Sequence, residues 1–206
     1  MKGLLASGFA AIAAGTGTML TLHAEAGLDP LHSVISEYAF ESIGWLLPAS
    51  LTLFAVGAAL IAAALRKAGA GIWVVGLLVS WGACMFLIGA FPTDRPGVPL
   101  SLSGGIHRYA AFAAFLAMPA AGMLVARGRR PYAKAVKWLS AVAFGALLLV
   151  VVPYVVRMVG IPLTNADIPA GLTQRIVVVS EIAVLALIGM SMLQRRSHGG
   201  VSPILA

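Results

Sequence analysis

Apolar residues in this chain neither alternate nor form a one-sided helical stripe. They come in long runs, broken by short clusters of charges and turn formers. Each run is about 20 residues, the length needed to cross a hydrocarbon core of ~30 Å as a helix. Six such runs are predicted as membrane helices: Leu4 to Leu22, Ile43 to Leu65, Ile72 to Phe91, Tyr109 to Val125, Trp138 to Val156 and Ile176 to Leu193. A stretch such as ALLLVVVPYVV lacks the period of two that a membrane barrel strand requires, so helices are the remaining way to satisfy the backbone in lipid. The expected fold is all-α: one transmembrane domain over residues 1–206, a bundle of six helices. The first run follows Lys2 in the manner of a signal peptide, but no clear small-residue cleavage site appears around Thr16, Gly17 and Thr18, and it is read as a membrane helix.

The connections fall into two kinds. On one side lie Lys2, Arg66, Lys67, Arg127, Arg129, Arg130, Lys134, Lys137, Arg195 and Arg196; on the other only Arg95, Arg108, Arg157 and Arg175. Short basic loops stay in the cytoplasm, so both termini are expected there, in a cell (inner) membrane. The outer connections are longer and hold most of the Pro, Asp and His: HAEAGLDPLHSVISEYAFES, PTDRPGVPLSLSGGIHR and RMVGIPLTNADIPAGLTQR. With 60% hydrophobic and 10% charged residues, the chain has too little polar surface for a soluble protein. Its net charge of +7 does not point to nucleic acid, because the basic residues are split among juxtamembrane stretches. They suit anionic lipid head groups, so membrane lipids are the expected partners. No inverted repeat is evident, and a homo-oligomer or a larger membrane complex would be the source of any symmetry. The single cysteine, Cys84, lies in the third run and reads as a small core residue, which excludes an intrachain disulfide.

All seven acidic residues belong to the outer half. His107, Arg157 and Arg175 each stand about 20 residues from a basic residue of the cytoplasmic side, or roughly 30 Å, at the outer hydrocarbon boundary. Asp94 belongs to the same level. Glu181 is only about 14 residues from Arg195, roughly 21 Å up and inside the membrane, where a carboxylate needs a partner, water or a proton. Gln174 lies two helical turns above it on the same face. The segment LHSVISEYAFESIGW is expected to form an interfacial or re-entrant cap before the second helix, pairing His32 with Ser36 and Glu37 with Glu41 if it is α-helical. Together these positions imply an outer polar chamber, roofed by the cap and floored by Glu181. Pro48, Pro119 and Pro153 fall within runs and are expected to kink them.

The pattern HSVISEYAF followed by GW, then GAFPTDRPG with SLSGGIHR, then GLTQR entering the last helix, resembles the DUF998 family of small multi-pass prokaryotic membrane proteins. The resemblance extends over nearly the whole chain. It implies a six-helix membrane fold and points to Ser36, Glu37, Asp94, His107 and Arg175. Three functional readings stay open. In the first, Glu37, Asp94 and His107 act as an acid/base set, or as a divalent-metal site, on a lipid-like substrate. In the second, Ser36, Arg108, Arg157, Arg175, Gln174 and Glu181 bind or transport an anionic amphiphile. In the third, these polar residues are interhelical ion pairs of an accessory subunit. No cofactor is required by any motif: HExxH, GxSxG and Cys/His signatures are missing, and no two histidines are set deep enough to ligate a haem.

Overall fold

The computed structural model describes residues 1–95, 97–128, 131–161 and 168–197, apart from the side chains at 154, 157, 158 and 195–197. Among the described residues there are six long helices: α1 (Lys2–Glu25), α2 (Leu46–Lys67), α3 (Ile72–Ala90), α4 (Leu102–Ala126), α5 (Ala133–Met158) and α6 (Ala170–Ser197). All six are long and apolar enough to cross a membrane. Consecutive helices are neighbours, and α6 touches α4, α1 and α2, which closes the bundle.

Three helices begin earlier than hydropathy predicts, and the polar residues at their starts explain two of them. α4 starts at Leu102 rather than Tyr109 because Ser101 is its N-cap, its hydroxyl accepting the Gly104 N–H at 3.0 Å. α6 starts at Ala170, its first turn buttressed by Thr173, whose hydroxyl donates to the carbonyls of Pro169 and Ala170. α5 starts at Ala133, so Lys134 and Lys137 are helical. α2 starts at Leu46, placing Pro48 in its first turn, where a missing N–H breaks no intrahelical bond and no kink is required. Pro119 and Pro153 do lie inside α4 and α5.

Helices in lipid have no hydrophobic force pulling them together, so close packing at small residues carries more of the association. The α1/α2 interface shows this. A Cβ at Gly57 would come within 2.7 Å of Ile12, and one at Gly15 within 3.0 Å of Phe54. That close approach lets the buried Ser50 hydroxyl donate to the Gly15 carbonyl at 2.8 Å, across the two helices.

The cap before α2 is not α-helical. Residues Ile35–Phe40 form a 3-10 helix that packs against α2 and α6. The expected His32/Ser36 and Glu37/Glu41 pairings are therefore not made. His32 pairs instead with Asp29, whose carboxylate also accepts the Leu31 N–H. Residues 30–33 sit directly over Gly171, where a Cβ would come within 2.7 Å of the Pro30 carbonyl and closer still to that of Ser33.

Candidate functional site

The polar residues toward the acidic end of the bundle separate into three groups, which the fold holds in different ways. The first centres on Arg175, one turn into α6. Its Nε–H donates to His23 Nε2 at 3.0 Å, its Nη1 to the carbonyls of Pro30 and Ser33 at 2.9 and 2.7 Å, and its Nη2 to the Tyr38 hydroxyl at 2.7 Å. Four of the five N–H donors of the guanidinium are thereby occupied. His23 is fixed in turn. Its Nδ1 lies 2.8 Å from the Met19 carbonyl and must donate to it, which leaves Nε2 as the acceptor that Arg175 needs. The Tyr38 ring packs against both the His23 ring and the guanidinium. Beside this hub, Gln174 Oε1 accepts the Ile35 N–H at 2.6 Å, and the Leu172 N–H donates to the Leu31 carbonyl. Arg175 and Gln174 thus tie the cap to α1 and α6, and the partners of Arg175 are not the carboxylates expected of it.

Asp94 and His107 form the second group. The Asp94 carboxylate accepts the Ser101 backbone N–H at 2.9 Å and overhangs Gly104, where any Cβ would collide with it. This is a carboxylate at the positive end of α4. Bonding from Ser101 holds its pKa below the usual carboxylate range, with further lowering from the Arg108 and His107 charges. Arg108 itself is exposed and engaged within the structure. His107, buried in the second turn of α4, points its Nδ1 at the Ile88 and Phe91 carbonyls, at 3.1 and 2.9 Å. It closes the C-terminal end of α3. Asp94 and His107 therefore cap opposite ends of neighbouring helices, and Ser103 adds a bond from its hydroxyl to the Pro92 carbonyl.

Among the described residues no three His, Cys, Asp or Glu side chains come together in a way that could hold a metal, so Glu37, Asp94 and His107 do not form the ligand set expected of them. Glu37 and Ser36 lie half-buried in the 3-10 segment. The side chain of Arg157 falls outside the described residues.

The third group is inside the bundle. Glu181, midway along α6, is completely buried. Its Oε2 accepts the indole N–H of Trp81, on α3, at 2.9 Å, while its Oε1 has no partner among the described residues. Ser140 Oγ, on α5, is the other buried side-chain oxygen left unpaired there. Trp81 was not among the expected site residues. Its signal was a single indole N–H in the middle of an apolar run, a donor that demands an acceptor when buried.

Over residues 4–191 the sequence matches the family described as Protein of unknown function (DUF998). The chain belongs to the DUF998 family. No curated protein and no solved structure matches it. This DUF998 protein also has concavities on its surface. One, of about 550 Å³, opens on the outer part of α3 and α4 and is lined by Leu87, Leu100, Leu102, Ile106 and Tyr109, with Ser101 at its rim.

Proposed function

We propose that this DUF998 protein is a membrane carrier or binding protein whose working group is Glu181, a carboxyl that takes up and releases a proton within the bundle. The observation that carries the reading is the unpaired Oε1 of a fully buried carboxyl. An ionised carboxylate at this depth with only one indole N–H to face would be very costly, and a neutral carboxyl would still lack an acceptor for its proton. A residue this expensive is retained in lipid where it meets a solute, a proton or water.

The surface suits an amphiphile as the solute. The groove between α3 and α4 is largely apolar and carries two hydroxyl residues, Ser101 and Tyr109. Acid/base catalysis by Asp94 and His107 is disfavoured because both are committed to helix ends. The distribution of Lys and Arg supports an orientation with both termini in the cytoplasm and the cap on the outer face.

A membrane-permeant carbodiimide tests the reading on the intact protein in lipid. It adds to a protonated buried carboxyl and leaves a stable N-acylurea. Labelling of the Glu181 peptide in wild type, absent in Glu181→Gln and altered in rate by Trp81→Phe, is the expected result. An unlabelled Glu181 in folded wild-type protein would make it a sealed structural group and favour the accessory-subunit reading.

A further inference from the structure

The opposite end of the molecule holds a second set of polar groups, and these are not consumed by the fold. α4 ends at Ala126 and α5 begins at Ala133. Between them lies a notch of about 410 Å³ lined by Met123, Ala126, Arg127 and Lys137. Arg127 and Lys137 are both exposed, and neither makes a hydrogen bond or ion pair among the described residues. The contrast with Arg175, whose guanidinium is nearly saturated, is direct. Two like charges converging from different helices repel one another across a shared cavity unless an anion lies between them.

The depth of the notch narrows the anion. Trp138, next to Lys137, is 73% exposed, and Tyr132 lies at the start of α5. Amphipathic aromatic rings of this kind belong at the level of lipid head groups. The other two lining residues, Met123 and Ala126, are apolar, so the notch combines two cations with an oily wall. The frame is also held in place. Tyr132 adopts φ 64°, a conformation uncommon for a bulky L residue, and its hydroxyl accepts from Gln194 Nε2 of α6 at 2.6 Å. The Val136 N–H bonds back to the Tyr132 carbonyl, which sets the direction in which α5 presents Lys137.

We infer that this notch is a binding site for the phosphodiester head group of an anionic membrane lipid, gripped by Arg127 and Lys137 with its glycerol and proximal acyl carbons against Met123 and Ala126. Arg127 offers a planar fork for two phosphate oxygens and Lys137 a point charge. The inference does not depend on Glu181.

Native mass spectrometry of the full-length protein, given phosphatidylglycerol or phosphatidylcholine of matched acyl chains, tests it. Wild type should retain phosphatidylglycerol preferentially. The double variant R127Q/K137Q should weaken that retention by roughly an order of magnitude or more, to the level seen with phosphatidylcholine. Ala126→Phe, which keeps both cations but fills the notch, should do the same. The pair Arg66 and Lys67 at the end of α2 is equally exposed and basic, and R66Q/K67Q should leave retention unchanged. An equal loss in both double variants would reduce the effect to general basicity and overturn the site, as would full retention in R127Q/K137Q. Displacement of the lipid by millimolar inorganic phosphate would overturn the lipid assignment.

Discussion

Replacing Arg175 by Gln should release the outer cap while leaving the bundle folded. The guanidinium makes two charge-assisted bonds to the Pro30 and Ser33 carbonyls, one to Tyr38 and one to His23. A hydrogen bond to a charged group contributes ~1.5–3 kcal/mol. The four are not additive here, because Arg175 is only half-buried, its bond to Pro30 is exposed, and water can replace some of them. Counting the two carbonyl bonds at the lower limit gives ~3 kcal/mol of cap stability, or roughly a hundredfold in the opening equilibrium. Hydrogen exchange of the intact protein in lipid reads this directly. Amides of the Asp29 to Glu41 region should exchange roughly a hundredfold faster in Arg175→Gln, by the same conversion, whereas those of α2 and α3 should not change. Arg175→Lys should recover only part of the protection, since one ammonium cannot span four acceptors on three segments. Gly171→Ala should open the same region by pushing a methyl against the Pro30 and Ser33 carbonyls and the Arg175 guanidinium that binds them. If the cap of Arg175→Gln exchanges at the wild-type rate, Arg175 does not hold it and the reasoning fails.

Three further outcomes follow from the helix ends and the charge asymmetry. Because the folded pKa of Asp94 is depressed, its contribution is present above the ordinary carboxylate range and is lost as pH falls through the lowered value; Asp94→Asn should be less stable than wild type near neutral pH, with the gap closing in acid, as thermal melts will show. His107→Phe leaves the Ile88 and Phe91 carbonyls without their donor and should cost about 1–3 kcal/mol, measured by unfolding in mixed micelles; His107→Gln, which keeps an N–H, should cost less. In a Cys84→Ala background, a cysteine at Arg95 should react with an impermeant maleimide added outside whole cells, and one at Arg66 should not; the reverse pattern would invert the topology.

The helices were legible because lipid imposes a length and a hydropathy that any sequence must show. Their true starts were less so: the run SLSGGIH reads as loop by hydropathy but is helix from Leu102, because Ser101 and Asp94 supply what the free N–H groups need. The contacts of the candidate site residues were not legible in the sequence. A linear count of depth cannot tell a group that faces a cavity from one that closes a helix end. His107 turns back to α3 and Asp94 to α4, so what resembled an acid/base pair is two caps.

The partners missed were those distant in sequence. Trp81 is about a hundred residues from Glu181, and His23 and Tyr38 still farther from Arg175; no local spacing rule joins them. A physical criterion does separate the polar residues once the contacts are known. A side chain whose donors and acceptors are all matched by the protein is explained by the fold, and Arg175 approaches that condition. Among the described residues, Glu181 leaves one buried oxygen unmatched, and Arg127 and Lys137 leave two charges unpaired at a cavity. A molecule that spends its scarce polar groups so carefully on its outer cap has little reason to leave these open unless something outside the chain completes them. That asymmetry, rather than the density of charge, moves the search for function from the outer rim to the middle of α6 and the basic end of α4 and α5.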